Sequence, residues 1–174
     1  MKQFRILVAD DEERILNFLR SKLKASGYEV ITARNGSEAL EQAQAQDPDL
    51  VVLDVLMPKM DGFETLKELR KYSEVPVIIL SARDADFDKI KGFMLGADDY
   101  LPKPFNPVLL HARLKALFAS LHEERMAILR QQLTQVTEAQ EEERQRIARE
   151  LHDGLGPALA SQAQRSKAPA GRGR

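Results

Sequence analysis

Asp10, Asp11, Asp54, Ser81 and Lys103 each stand at or just past the end of a short apolar segment. If those segments are parallel strands of one sheet, three carboxylates, a hydroxyl and an ammonium converge on one edge. Carboxylates held that close repel one another, so a cation is expected among them. A hard oxygen site of this size suits Mg²⁺, which keeps several waters and takes one or two carboxylates plus a phosphate oxygen. Asp54 can then act as a nucleophile toward a phosphoryl group, giving an acyl phosphate. Mg²⁺ and Lys103 would neutralise charge on the transferring oxygens. Ser81 would donate a hydrogen bond to the bound group, and that bond exists only after transfer, which makes it a trigger. The alternative is that the aspartates are only helix caps, which leaves both their convergence and Lys103 unexplained.

The elements that must position these residues alternate regularly. Phe4 to Ala9, Tyr28 to Ala33, Asp49 to Asp54, Pro76 to Leu80 and Asp99 to Leu101 read as strands. Glu12 to Ala25 carries Ile15, Phe18, Leu19 and Leu23 at helical spacing, and Gly27 ends it. Ser37 to Ala45, Phe63 to Tyr72 with Phe63, Leu66 and Leu69 inward, Asp84 to Leu95 before a C-capping Gly96, and a helix starting at Pro107 follow. Strands separated by helices imply parallel crossover units with right-handed connections. Strands apolar on both faces require helices on both sides of the sheet. The fold class is therefore α/β, a doubly wound parallel sheet with its site at the carboxyl ends of the strands.

Composition limits the function classes. The chain has 174 residues, 26 basic and 27 acidic, and a formal net charge of -1. That balance provides no general pull toward nucleic acid or anionic membrane. There is no Cys, which removes disulfide and thiolate chemistry and fits a reducing, cytoplasmic setting. The apolar runs are too short to span a bilayer and no secretory signal is read at the N-terminus, so membrane insertion is not expected.

The segments Asp10-Asp11, Asp54 followed by Val-Leu-Met-Pro-Lys-Met-Asp-Gly, Ser81-Ala82 and Lys103-Pro104-Phe105 together resemble the response-regulator receiver domain over roughly residues 3 to 120. The resemblance implies a five-stranded, flavodoxin-like sheet of order 2-1-3-4-5. It implies Mg²⁺ bound by Asp11, Asp54 and the main-chain carbonyl of Leu56, with Asp10 acting through water. It implies Asp54 as phosphoacceptor, Lys103 and Ser81 as its assistants, Ser81 and Tyr100 as switch residues, and a histidine kinase as phosphoryl donor. Leu56 and Arg83 occupy the positions that influence attack by water, and neither orients water well, so slow-to-moderate loss of the phosphoryl group is expected. Gly96 through Phe105 is most similar to the subfamily whose outputs are winged-helix DNA-binding domains. No such domain is read in the sequence that follows, and DNA binding by this chain is not expected. In that subfamily Asp99 and Arg113 match a cross-subunit ion pair. The partners of two further pairs fall at Leu109 and Ser120, which breaks both.

Beyond the receiver the helical pattern continues. Leu110, Leu114, Leu117 and Leu121 are spaced four, three and four apart; Leu129, Leu133 and Val136 resume the spacing one position out of phase, and Ile147 and Leu151 follow. Gln140 and Glu143 fall where the seam should be. A stripe this narrow predicts a two-stranded coiled coil or bundle with weak places in it, hence a homodimer through the long helix, with Asp99, Arg113, Leu114, Leu117 and Leu121 as contact candidates. A single solvated helix is the alternative. Glu142-Glu-Arg-Gln-Arg-Ile-Ala-Arg-Glu-Leu-His-Asp-Gly-Leu-Gly156 resembles the phosphoacceptor segment of nitrate-sensor-type histidine kinases. There His152 matches the phosphorylated histidine and Asp153 the acid beside it. No ATP-binding domain is read after it, and Pro157 replaces the glutamine of that family's phosphatase position and favours a kink or stop.

The expected organisation is a receiver over residues 1–120, a helical extension carrying the histidine motif over 121–157, and a disordered tail over 158–174. Three functions remain open at this point. One is a phosphorylated receiver that regulates its helical extension and is not an enzyme in the ordinary sense. Another is a phosphorelay intermediate that also uses His152. The third is a coiled-coil interaction module from a truncated receiver–kinase hybrid.

Overall fold

The computed structural model describes residues 3–82 and 86–165. Arg83, the start at Asp84 of the expected fourth helix and the last nine residues of the expected tail, 166–174, lie outside the described residues. The chain divides into two units, Met1–Ala119 and Ser120–Arg174, and each is taken separately below.

In the first unit the strands are β1 (Arg5–Ala9), β2 (Glu29–Ala33), β3 (Leu50–Asp54), β4 (Val77–Ser81) and β5 (Asp99–Pro102). Between them run α1 (Glu13–Ala25), α2 (Gly36–Gln46), α3 (Gly62–Leu69) and α4 (Asp86–Met94), and α5 begins at Pro107. All strand pairs are parallel, and the order is β2-β1-β3-β4-β5, the flavodoxin-like order expected. β3 and β4 are buried at every position because helices cover both faces. One face packs Leu16, Leu19 and Leu23 of α1 and Leu110 and Leu114 of α5 against Ile6, Val8, Val52 and Ile78. The other packs Ala39 of α2 and Phe63, Leu66 and Leu69 of α3 against Leu7, Val51, Leu53 and Ile79.

The helix ends follow local chemistry. Asn35 caps α2 by accepting the Glu38 N–H at 2.9 Å, and Asp61 and Glu64 form a reciprocal capping box on α3. α3 stops at Leu69, short of the expected Tyr72, where the Arg70 guanidinium takes up the carbonyls of Ser73, Val75 and Gly96. Gly96 has the left-handed φ of 96° expected of a residue closing α4. On α1 the inward stripe is Leu16, Leu19 and Leu23, whereas Phe18 is 42% exposed.

α5 spans Pro107–Arg165. Helix therefore replaces the expected disordered tail over residues 158–165: Ala, Leu, Gln and Arg dominate that stretch, and these are among the strongest helix formers. Pro157 lies inside the helix and does not end it. No helix among the described residues is long and apolar enough to cross a membrane.

Candidate phosphoryl-acceptor site

β1, β3, β4 and β5 end on the same edge of the sheet, and the parallel register places their last residues side by side. Ala9 lies opposite Leu53, Asp54 opposite Leu80 and Ser81 opposite Pro102. One oxygen from each of Asp10, Asp11 and Asp54 lies within 4.8 Å of the others. The Lys103 ammonium donates to Asp10 Oδ2 at 2.6 Å and approaches Asp54 Oδ1 at 3.2 Å. Asp10 is fully buried and also accepts the Glu12 N–H at 2.9 Å, so its carboxylate both holds Lys103 and starts the β1–α1 turn. Asp54 and Ser81 are buried, while Asp11 is exposed.

The electrostatics match this crowding. Burial, then the charge of Asp10 and more weakly that of Asp11, push the Asp54 carboxyl up from 3.8 to about 6, against the pull of Lys103. Burial works to lower the Lys103 ammonium, but hydrogen bonds and charge from Asp10 and Asp54 outweigh it and leave its pKa raised. Three carboxylates against one ammonium leave two negative charges uncompensated in a half-dry pocket. A set of hard oxygens with that excess charge fits a divalent cation such as Mg²⁺.

The remaining sequence-derived residues fall as follows. Ser81 accepts the Lys103 N–H through its main-chain oxygen at 2.6 Å, which ties β4 to the residue that carries the ammonium. Tyr100 is 8% exposed and packs within the core, opposite Ile79 on β4. Leu56 lies in the β3–α3 loop with its side chain exposed. That loop is closed by the Gly62 N–H donating to the Val55 carbonyl at 2.9 Å. Gly62 is a site residue that residue-type reasoning passed over. A Cβ there would sit 2.2 Å from the Asp54 carbonyl oxygen, so only glycine lets the loop fold against the acceptor strand. The Asp61-Gly62 dipeptide is the signal that points to it.

The contact candidates for pairing divide. Leu114 is fully buried and Leu110 nearly so, both within the receiver's own core, so Leu114 has no surface left for a second chain. This corrects its assignment to the seam: the side of α5 that faces the sheet uses the same spacing as a coiled coil would. Leu117 packs at the edge of that core and Leu121 is half-buried. Asp99 and Arg113 are joined inside one chain, with Arg113 Nη1 donating to Asp99 Oδ1 at 3.2 Å and Oδ2 at 3.1 Å. In the second unit, Met126, Leu129, Leu133, Val136, Ile147 and Leu151 are all exposed. His152 is 89% exposed, its Nδ1 3.3 Å from Asp153 Oδ1.

The doubly wound parallel sheet defines a class of α/β domains that bind their ligands at the carboxyl ends of the strands, and the acidic cluster and half-buried lysine stand at that edge here. Residues 6–115 match the family profile of the response regulator receiver domain, and residues 143–172 match a profile described as histidine kinase. The chain belongs to the response-regulator receiver domain family, which works in two-component signal transduction. It is 52% identical over 114 residues to the alkaline phosphatase synthesis transcriptional regulatory protein PhoP of Bacillus subtilis, covering 65% of this chain and 48% of that protein. It is 50% identical over 113 residues to a transcriptional regulatory protein CpxR homolog of Haemophilus influenzae, covering 65% and 49%. The chain thus spans about half the length of these curated relatives. Among solved structures, the receiver domain of the Francisella response regulator 1452 superimposes with a TM-score of 0.66 at 40% identity, over 68% of this chain and 99% of that one. Vibrio cholerae chemotaxis protein CheY4 gives 0.63 at 36% identity, over 66% and 98%.

Proposed function

We propose that this chain accepts a phosphoryl group on Asp54 from a histidine kinase and uses it to regulate its helical extension. The observation that carries this reading is the packing of Asp10, Asp11 and Asp54 around Lys103, with Ser81 on the neighbouring strand end. Asp11, Asp54 and the Leu56 carbonyl, with Asp10 behind them, would hold Mg²⁺, which supplies charge neutralisation on the phosphoryl oxygens when bound. In the transfer, an Asp54 carboxylate oxygen forms the new bond to phosphorus while the bond from phosphorus to the donor's histidine nitrogen breaks and its electron pair returns to the imidazole. Lys103 is a flexible point charge suited to a phosphoryl oxygen. Ser81 donates to the acquired group, and Tyr100 on the neighbouring strand β5 responds.

Pairing of two copies through the half-buried Leu121 and the exposed stripe of Met126, Leu129, Leu133 and Val136 would make the receivers a dimer. The match of residues 143–172 to the histidine kinase profile favours a second role for His152, with Asp153 beside it, as a phosphoacceptor in a relay. The receiver is a regulatory domain, and neither matched segment is an ATP-binding domain.

Incubation with acetyl phosphate and Mg²⁺ followed by intact mass tests the main reading. The wild-type chain should gain one phosphoryl group, and Asp54→Ala should gain none. A full gain in Asp54→Ala would reject Asp54, and loss of that residual gain in His152→Ala would place it on the histidine.

A further inference from the structure

We propose that Gly36, at the start of α2, is a positioning residue for the metal side of the acceptor site: its missing side chain lets the β3–α3 loop settle where the Leu56 carbonyl can serve a cation held by Asp11 and Asp54. The inference rests on the reading of those three groups as the Mg²⁺ ligands. It deepens that reading by naming what holds the one ligand that a loop supplies.

Gly36 is buried, and its backbone lies outside the left-handed region, so the need for glycine there is one of space. A Cβ on Gly36 would lie 2.0 Å from Thr65 Oγ1, 2.7 Å from the Met60 carbonyl oxygen and 2.9 Å from the Met60 Cβ. Non-bonded heavy atoms settle at about 3.5–4.0 Å, so all three contacts are overlaps. The first turn of α2 therefore rests directly on the loop that leaves Asp54 and on the first turn of α3. Thr65 is itself buried and donates its hydroxyl to the Asp61 carbonyl at 2.7 Å, which fixes the side of the contact that belongs to α3.

Of the two sides, the loop is the one that yields. The start of α2 is held three times: Asn35 Oδ1 accepts the Glu38 N–H at 2.9 Å, Glu38 Oε2 accepts the Arg34 N–H at 2.9 Å, and the Ala33 carbonyl accepts the Asp10 N–H at 3.1 Å. The loop is anchored at its ends, where the Val55 N–H donates to the Leu80 carbonyl at 3.0 Å and the Gly62 N–H to the Val55 carbonyl at 2.9 Å. Between those anchors it makes a three-residue turn, with the Met60 N–H donating to the Pro58 carbonyl at 2.8 Å and Lys59 at a left-handed φ of 67°. A turn of this kind at a residue other than glycine is strained and persists only where its surroundings fix it. The bare Cα of Gly36 against Met60 is such a surrounding. A methyl there pushes Met60, and with both ends anchored the displacement is taken up within residues 56–60. Leu56 falls in that stretch, and its exposed side chain means that its carbonyl is placed by the run of the loop and not by packing of the residue in the core.

The test is calorimetric titration of the full chain with Mg²⁺ alone, beside thermal unfolding of the same samples without metal. The wild type should bind Mg²⁺ at a site that Asp11→Ala removes. Gly36→Ala should bind about tenfold more weakly, the loss expected when a group that orients a metal ligand is changed. Thr65→Ala takes away the hydroxyl that the new methyl would meet at 2.0 Å, so Gly36→Ala combined with Thr65→Ala retains only the push on Met60. That double variant should bind about tenfold more weakly than Thr65→Ala alone, which keeps the role testable if the single variant does not fold. Ala43→Gly, within α2 and away from the loop, weakens the helix without touching Met60. It should lower the unfolding temperature and leave Mg²⁺ affinity unchanged. Undiminished affinity in the Gly36→Ala chains, or an equal loss in Ala43→Gly, would overturn the positioning role. A wild type that binds no Mg²⁺, or binds it as well after Asp11→Ala, would instead remove the reading of the ligands, and the role of Gly36 with it.

Discussion

Asp54 is held in a state that costs the apo fold stability. Its folded value of about 6 lies above the ordinary 3.8, so between those values the native chain binds a proton that the unfolded chain has released. Stability therefore falls as pH rises from about 4 to about 6, by at most about 3 kcal/mol at 1.36 kcal/mol per unit. Asp54→Asn removes this penalty. Thermal unfolding without metal should show the variant more stable than wild type at pH 7 and equal to it near pH 4, with Mg²⁺ narrowing the gap at neutral pH. An unchanged difference across that range would mean that the site is better compensated than its carboxylates and single ammonium imply. Gly62 makes the opposite case, a residue with no side chain on which the site depends. Gly62→Ala places a methyl 2.2 Å from a main-chain oxygen of Asp54, which cannot yield as a flexible side chain would. Overpacking of this kind costs about 1–3 kcal/mol. The variant should lose that much stability in urea titration and take up phosphoryl more slowly, because the β3–α3 loop must move away from the acceptor.

At the scale of the element, α5 does two jobs along one helix. Leu110 and Leu114 fill the receiver core, whereas Leu129 and Leu133 at the same kind of spacing are 57% and 69% exposed. Leu114→Ala should therefore destabilise the receiver by about 2–5 kcal/mol, the range for a buried leucine cut back to alanine. It should lower the unfolding midpoint whatever the protein concentration. Insensitivity of the receiver to Leu114→Ala would contradict its place in the core. The exposed half has its own support: Arg146 bridges Glu143 and Glu150 on the surface, at the i,i+3 and i,i+4 spacings whose side chains meet on a solvated helix.

For the whole molecule, the exposed stripe from Met126 to Val136 sets the expected assembly. Fully burying a leucine is worth about 1.5–3 kcal/mol, more than an exposed ion pair. Two copies joined along that stripe should persist whether or not Asp54 is phosphorylated. Phosphorylation would then alter the receivers' arrangement and not the monomer–dimer balance. Light scattering of the full chain should give a dimer before and after acetyl phosphate treatment. Leu129→Lys with Leu133→Lys should give monomers that still gain the phosphoryl group. A wild-type chain that stays monomeric at tens of micromolar would end the pairing proposal while leaving the acceptor site intact.

The alternation of apolar strands with amphipathic helices, the sheet they build and the identity of the residues at its carboxyl edge could all be read from the sequence, because each depends on local period or on a residue's place at the end of a run. Asp10, Asp11, Asp54, Ser81 and Lys103 needed no distance to be singled out. Tertiary structure decided what period cannot encode. A stripe on a helix states which side is apolar but not what covers it, so Leu114 and Leu133 looked alike until the sheet was found beneath one of them. Leu19 can anchor a stripe with Leu16 or one with Ile15 and Phe18, and the core takes Leu16 and leaves Phe18 42% exposed. Gly62 matters only because the loop returns to the Asp54 carbonyl, a contact between residues that local pattern does not join. Asp99 and Arg113 carry complementary charges in any reading. The sequence does not set their separation, and the packing of α5 beside β5 brings them to 3.1 Å within one chain.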